Sequence, residues 1–263
     1  MVTHAQIDFY RTFGFVVLGE LIEPERVAAL SQEFDRVLPE AFGAHWPERE
    51  DDGISGHYLP AMGPRTPFGR ELAERLLGVG EALLGAAALP RDVQEILLFD
   101  QAGLHDDFGI PATGVKLVTY LEPLRADNGA LRLVPGSQHS EFRTRLRQWL
   151  RDNPVEDSQA LRQQVDATPC FVAETEPGDV IAFDVHTFHA SVYGRDRRQW
   201  TATYLKDPQT EEKRAAFDEV SANEARWATE PVDYDRALYP LFPSDDARHV
   251  ERLRELGVFD VLR

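Results

Sequence analysis

The spacing of apolar residues changes near residue 90, and the first part of the chain has helical spacing. Apolar residues recur every three or four positions in AQIDFYRTFG, EPERVAALSQEFDRVLPEAF and RELAERLLGVGEALLG, which predicts three amphipathic helices. Gly14 follows the first as a predicted C-cap, and Pro24 begins the second. Between these two helices, FVVLG predicts a short strand. We therefore expect a largely helical N-terminal part over about residues 1–88.

Short β-type runs follow from about residue 90. They are VQEILLF, GVKLVTYLEP, GALRLVP, CFVAETE, DVIAF and QWTATYL. Turn residues such as Asn128-Gly129 and Pro135-Gly136 separate them. Only one helical segment, EFRTRLRQWLRDNP, interrupts the series, so the pattern predicts an antiparallel jelly roll rather than a parallel sheet with crossover helices.

These patterns predict a single domain of the α+β, mainly β class. Its core is expected to be a double-stranded β-helix (a cupin-like jelly roll) over about residues 90–206, flanked by α-helices. A charged, helical C-terminal extension is expected over about residues 207–263. The polar, Gly- and Pro-rich segment 43–67 predicts a long loop, which is either a lid over a binding site or a plain surface loop.

Composition and charge narrow the range of partners and of cellular locations. The formal net charge of −17 disfavours nucleic acid and anionic membranes as partners, because long-range repulsion slows their approach. No apolar run approaches the roughly 18 residues that cross a bilayer, and the N-terminal residues lack the pattern of a signal peptide. The one cysteine, Cys170, cannot form an internal disulfide, so we expect a cytoplasmic location. The oligomeric state is not indicated by any pattern.

The segment LHDDFG places potential metal ligands close together. On an extended chain His105 and Asp107 share one face, whereas Asp106 points the other way. A second histidine would complete two imidazoles and one carboxylate, the ligand set of non-haem iron(II) oxygenases. The candidates are His186 and His189 in DVHTFHAS and His139 in PGSQHS, and the spacing alone does not choose among them.

Several motifs in a fixed order resemble one enzyme family. LHDD, DNGALRLVPGSQHS, PGDVIAFDVHTFHAS and RRQWTATY, preceded by HAQIDFYRTFGFVVLGELI, are similar to the phytanoyl-CoA dioxygenase-like branch of the iron(II)/2-oxoglutarate-dependent oxygenases. The resemblance covers most of residues 4–206. It implies iron(II) bound by His105, Asp107 and His189, since His189 follows Asp184 at the family's five-residue spacing. Ala190 stands next where the family usually has Gly.

The resemblance also implies a site for 2-oxoglutarate. The family places an arginine seven residues before an aromatic residue, which gives Arg197 before Tyr204. Arg198 is a close competitor and Arg195 a weaker one, because the spacing from the distal histidine is shorter than in many members. An arginine provides a planar cationic fork for the distal carboxylate of the cosubstrate. Ser191, two residues after the distal histidine, is expected to donate a hydrogen bond to the same carboxylate.

The implied reaction is the hydroxylation of a small organic molecule, with O2 and 2-oxoglutarate consumed and succinate and CO2 released. The intact carboxylate of Asp107 favours hydroxylation over halogenation, because the related halogenases have Gly or Ala there. Lys116 and Tyr120 share a face of the next strand and are candidates for substrate binding. Desaturation, epoxidation and rearrangement are alternative outcomes, and a non-catalytic cupin-like binding protein is the alternative from another class. No basic cluster supports a CoA site.

Overall fold

In a computed structural model of the protein, the described residues are 2–43, 56–61, 65–107, 112–219, 252 and 255–256. Within them the chain forms α1 (His4–Phe13), β1 (Phe15–Leu18), α2 (Pro24–Phe42), β2 (Gly56–Pro60), α3 (Pro67–Leu84), β3 (Ala88–Leu98), β4 (Ala102–His105), β5 (Gly114–Tyr120), β6 (Leu131–Leu133), α4 (Ser140–Asp152), α5 (Ser158–Ala167), β7 (Phe171–Ala173), β8 (Val180–Asp184), β9 (His189–Ser191) and β10 (Arg197–Lys206). No helix among these residues has the length and apolar character needed to cross a bilayer.

The strands form two antiparallel sheets that pack face to face. The large sheet has six strands in the order β1-β8-β5-β10-β3-β2, and the small sheet has four in the order β4-β9-β6-β7. Part of the space between them is filled by apolar side chains from both, including Val118 and Phe183 of the large sheet and Leu131 and Leu133 of the small one. This architecture confirms the predicted jelly roll.

Helices α1, α2 and α3 cover the outer face of the large sheet. Their apolar stripes share one cluster of buried residues with alternate positions of strands β5, β8 and β10. Two buried aromatic side chains of β10 also hold α3 by hydrogen bonds. The indole N–H of Trp200 donates to the carbonyl of Gly69 (3.2 Å), and the hydroxyl of Tyr204 donates to the carbonyl of Ala73 (2.7 Å).

The junction after α1 ties the N-terminal helix to the strand that precedes the distal histidine. Gly14 ends α1 with a φ of 84°, and a Cβ there would lie 2.4 Å from Oε1 of Gln138. Its carbonyl accepts hydrogen bonds from the backbone N–H of Asp184 (2.8 Å) and from the hydroxyl of Thr187 (2.9 Å). A residue predicted only as a helix cap therefore also positions the turn before β9.

Three sequence predictions differ from the structure in detail. Residues 56–60, predicted as part of a loop, form β2, because their backbone pairs with β3 along its free edge. The helical insertion contains a second helix, α5, whose N-cap is Asp157. The strand predicted at FVVLG is β1, and it joins the large sheet together with β2, a position that the sequence pattern did not indicate. Most of the proposed lid 43–67 and of the extension 207–263 lies outside the described residues; helical residues are described at 211–219.

Candidate active site

The three ligand candidates converge between the two sheets. His105 ends β4 and pairs directly opposite His189, which begins β9, and their ring centroids are 4.3 Å apart. Asp107 lies just beyond β4, where its backbone N–H donates to the carbonyl of Val185 (3.1 Å). One potential ligand atom from each of the three side chains lies within 4.8 Å of the other two. The strand ends earlier than predicted, yet the expected side chains meet.

Hydrogen bonds orient both imidazoles. Nδ1 of His105 contacts the carbonyl of Gly103 (2.8 Å), and Nδ1 of His189 contacts the carbonyl of Thr187 (2.9 Å). Each contact places the proton on Nδ1 and leaves Nε2 as a lone-pair donor, as in many metal-binding histidines. Burial, followed by the neighbouring His105, lowers the pKa of His189 to about 3, so His189 is neutral at physiological pH.

The carboxylate of Asp107 completes a donor set that fits iron(II). Its Oδ1 accepts a hydrogen bond from Nζ of Lys116 (3.3 Å), whereas its Oδ2 is buried without a hydrogen-bond partner among the described residues. Burial alone would raise the pKa of Asp107, but Lys116 and the two imidazoles outweigh burial and the pKa lies below its ordinary value. Two imidazole nitrogens beside a carboxylate with an unpartnered oxygen match a divalent metal with mixed nitrogen and oxygen ligands.

The neighbouring carboxylate, Asp106, points away from this cluster, as predicted. It pairs with the guanidinium of Arg147 on α4, and the Nε–Oδ1 distance is 3.3 Å. This ion pair connects the helical insertion to the residue between His105 and Asp107. Asp106 is therefore a matched reference for Asp107, with the same side chain on the adjacent residue.

The two other histidine candidates lie apart from the cluster. The backbone N–H of His186 donates to the carboxylate of Asp184 (2.9 Å). Nε2 of His139 lies 3.4 Å from the carbonyl oxygen of Thr12. Within the part of the chain that the structure describes, His105, Asp107 and His189 are the one group of three that could hold a metal ion.

Arg197 lies buried close to Ser191, two residues after the distal histidine. Its Nη1 donates to the carbonyl of Gly129 (3.2 Å) and to the hydroxyl of Ser191, and its Nη2 donates to the carbonyl of Asp100 (2.6 Å). Its Nε is buried without a hydrogen-bond partner in the part of the chain that the structure describes. Gly194 packs so closely that a Cβ there would lie 2.5 Å from this Nε. The guanidinium is thus held in one place with one N–H still available.

The competing arginines point elsewhere. Arg198 follows Arg197 on β10 and therefore faces the opposite side of the sheet. There its guanidinium contacts Ser31 (2.8 Å) and Asp35 (2.9 Å) of α2 as well as Glu122 (3.3 Å). Arg195 is exposed. Strand alternation therefore separates two arginines between which the sequence had left a choice.

The two side chains predicted to bind substrate lie beside different partners. Lys116 is at the triad, where it contacts Asp107. Tyr120 is buried next to Arg197; burial raises the pKa of its hydroxyl, and the guanidinium acts in the opposite direction. Ser191 donates to the carbonyl of Gly129 (2.8 Å), so it belongs to the same group as Arg197 and Tyr120.

The wall around Lys116 also carries polar residues that the sequence analysis did not single out. Gln94, Thr201 and Thr203 are buried on the inner face of the large sheet, and Asp92 is half-buried there. The available signal was the alternation of polar and apolar residues in RDVQEI and QWTATY. That signal is weak, because the same alternation is typical of a strand with one face in solvent.

Several solved structures share the fold of this protein. SnoK, described as a non-haem alpha ketoglutarate dependent carbocyclase from nogalamycin biosynthesis, has a TM-score of 0.59 at 17% identity over 78% of this chain and 85% of its own. AviO1 from Streptomyces viridochromogenes Tue57 has a TM-score of 0.57 at 20% identity over 80% and 98% of the two chains. EctD from S. alaskensis, solved with 2-oxoglutarate and 5-hydroxyectoine, has a TM-score of 0.58 at 21% identity over 78% of this chain and 77% of its own.

A search of curated protein sequences finds no match. The family model for phytanoyl-CoA dioxygenase (PhyH) matches residues 10–195, a span that includes both histidines and the aspartate of the cluster and ends two residues before Arg197. This match covers well over half of the chain. The protein therefore belongs to the phytanoyl-CoA dioxygenase family and is an oxygenase.

Proposed function

We propose that this oxygenase binds iron(II) through His105, Asp107 and His189 and hydroxylates a small organic molecule with 2-oxoglutarate as cosubstrate. The observation that carries the proposal is the convergence of two imidazoles and a carboxylate, with one potential ligand atom of each within 4.8 Å of the others. These three residues would hold iron(II), and a site with only three protein ligands would leave room for cosubstrate and oxygen. When bound, iron(II) supplies the chemistry that couples decarboxylation of 2-oxoglutarate to oxidation of a substrate C–H bond.

Arg197 is proposed to bind the distal carboxylate of 2-oxoglutarate. Its buried guanidinium has an N–H without a hydrogen-bond partner among the described residues, and the neighbouring hydroxyl of Tyr120 can donate to the same carboxylate. The hydroxyl of Ser191 would do so by exchanging its hydrogen bond to Gly129 for one to the cosubstrate. The contact of Tyr120 with Arg197 favours a role with cosubstrate over the substrate role expected from sequence. Lys116 keeps its proposed place on the substrate side, beside Asp107.

The presence of Asp107 favours hydroxylation, because a carboxylate occupies the coordination position that a halide would need. Rearrangement is a second candidate reaction. The structurally similar SnoK and SnoN are described as a carbocyclase and an epimerase, so this fold supports outcomes other than hydroxylation. The chemistry after hydrogen abstraction depends on how the substrate is held, and identification of the product from the true substrate distinguishes the two reactions.

The test is anaerobic binding of iron(II) and 2-oxoglutarate, followed by the visible charge-transfer band of the chelate. We expect the band in the wild-type protein and in Asp106→Asn, and a band of altered shape or weaker affinity, or none, in Asp107→Ala. Succinate formation in air is measured alongside, and it distinguishes an oxygenase from a cupin-like binding protein, which forms none. A band of unchanged position and affinity in Asp107→Ala would contradict the ligand assignment.

A further inference from the structure

A row of four side chains crosses the inner face of the large sheet at the level of the triad. Phe183, Lys116, Thr203 and Asp92 lie directly opposite one another on β8, β5, β10 and β3. Residues in such a row project to the same side of a sheet, with about 4.8 Å between neighbouring strands. The ring of Phe183 contacts that of His189, with 4.7 Å between centroids, so the row faces the metal ligands. Asp92 is at the far end of the row from this contact.

The charges along this row are incompletely paired. Lys116 donates its hydrogen bond to Asp107, not to Asp92. Asp92 is half-buried and makes no hydrogen bond or ion pair with any residue that the structure describes. The adjacent Arg91 reaches Phe217, with 5.1 Å from its guanidinium carbon to the ring centroid. Lys116 and Arg91 act on this half-buried carboxylate through their charge and not through a hydrogen bond, so a ligand could supply a directly paired positive charge.

Electrostatic coupling indicates that Asp92 faces the same space as the triad. Burial raises the pKa of Asp92; Lys116 opposes this change, and the negative charge of Asp107 adds to it. Tyr58 of β2 interacts with Lys116, so polar groups also continue toward the edge of the sheet. A molecule that enters beside the triad thus meets hydroxyl groups and one unpaired carboxylate on this wall.

We propose that Asp92 binds a cationic nitrogen of the substrate, which makes the substrate a small amine or guanidine oxidised at a nearby C–H bond. This assignment rests on the proposed function. An ammonium group on the substrate would donate to Asp92 and replace the water lost on burial of the carboxylate. Thr203 lies between Asp92 and Lys116 in the row and can accept a hydrogen bond from the same group.

The experiment measures succinate formation by the iron-loaded enzyme with free amino acids, amino sugars, polyamines and guanidines, each beside its N-acetyl derivative. We expect one or more cationic compounds to accelerate succinate formation by about 30-fold or more over their N-acetyl forms, because acetylation removes the charge that Asp92 recognises. Succinate formed without added substrate and the anaerobic iron and 2-oxoglutarate band report the proposed function separately. If these two measurements succeed but no cationic compound accelerates succinate formation, only the Asp92 assignment is contradicted.

Variants then test whether Asp92 causes the preference for cationic compounds. Asp92→Asn should lower the preference for the amine over its N-acetyl form by about 30-fold or more, the usual effect of removing one partner from a buried charge pair. Asp92→Glu should restore part of the preference, and Asp35→Asn, which removes the same charge from α2, should retain it. Equal acceleration by charged and acetylated compounds, no acceleration by any cation, or an unchanged preference in Asp92→Asn would each overturn the proposal.

Discussion

Strand β10 is buried on both faces, but the two faces have opposite chemistry. On the outer face, Trp200 and Tyr204 pack among apolar residues under the helices. On the inner face, Thr201 and Thr203 are equally inaccessible, yet they are polar and face the small sheet. Burial of an apolar face is explained by the hydrophobic effect. Burial of a polar face requires hydrogen-bond partners, and a bound ligand is one source of them.

This difference shows which part of the sheet maintains the fold and which part forms the site. The outer face should contribute mostly to the free energy of unfolding, and the inner face mostly to binding of cosubstrate and substrate. Each face can be altered without changing the other, because adjacent residues of one strand point in opposite directions. The following predictions test this division, beginning with the largest expected effect.

Trp200→Ala should be the most destabilising of these changes. The side chain is fully buried between β10 and α3, so its removal leaves a large cavity and loses the hydrogen bond to Gly69. We expect the free energy of unfolding to fall by about 3–5 kcal/mol. Urea unfolding measures it, and Trp200→Phe, which keeps most of the volume, should lose less. The folded Trp200→Ala protein should keep the wild-type KM for 2-oxoglutarate. A large change in that KM would contradict the proposed division between the two faces.

Arg197→Lys should impair binding of 2-oxoglutarate by about 100-fold, through the loss of a buried, fork-shaped cation. The lysine keeps the charge but cannot make the three contacts of the guanidinium with Ser191, Gly129 and Asp100. The KM for 2-oxoglutarate in succinate formation measures the effect. Arg198→Lys is the matched control, because that side chain faces α2, and its KM should remain within about threefold of the wild type. The reverse result would assign the cosubstrate to Arg198.

Local signals in the sequence were sufficient for much of the fold and for the ligands. Helix α1 is specified by its cap residues Thr3 and Gly14, and both act within a few residues of where they stand. The spacing within one short motif predicted that His105 and Asp107 act together, whereas His189 was chosen over His186 and His139 through the resemblance to the family. Strand β2 was missed because its partner β3 lies about 35 residues away, and GHYLP itself contains the residues typical of a loop.

The remaining parts of the site depend on which way each strand faces. Arg197 and Arg198 are chemically identical in the sequence, and only the packing of β10 between α2 and the small sheet separates them. Asp92 was missed for the same reason, because alternation predicts two faces but does not tell solvent from an internal cavity. Lys116 was predicted to bind substrate, and its contact with Asp107, just beyond the end of β4, could not be predicted because it joins segments from the two sheets.

Glu95 is an exception to the comparison, because it is a carboxyl group buried on the outer face. Burial and the nearby Glu33 raise the pKa of Glu95 well above its ordinary value of 4.5, while Arg36 opposes them. Glu33 itself accepts hydrogen bonds from the N–H groups of Phe68 (2.9 Å) and Gly69 (2.7 Å) at the start of α3. Glu95 is therefore expected to be protonated in the folded protein at neutral pH.

Glu95→Gln should consequently stabilise the protein at neutral pH and not in acid. A carboxyl group whose pKa is raised on folding stabilises the folded state below the unfolded pKa, and this contribution is lost as pH rises through the folded value. We expect wild type and variant to differ little near pH 4.5, and the variant to be more stable by about 1 kcal/mol or more near pH 7.5. Urea unfolding at both pH values measures this. A difference independent of pH would show that Glu95 is charged in the folded state.

The smallest expected effect comes from Thr201→Val on the inner face. The Thr201 hydroxyl is buried and makes no hydrogen bond to any described residue, so its desolvation is not offset within the protein. Valine has nearly the same shape, and the free energy of unfolding should rise by about 1 kcal/mol or less. The matched change on the outer face, Ala202→Ser, places a hydroxyl among apolar residues and should lower stability by a similar amount. Opposite signs for these adjacent positions, measured by urea unfolding, would support the division between the faces. If Thr201→Val instead destabilised the protein, the hydroxyl would have a partner in solution, and the inner face would contribute to folding as well as to binding.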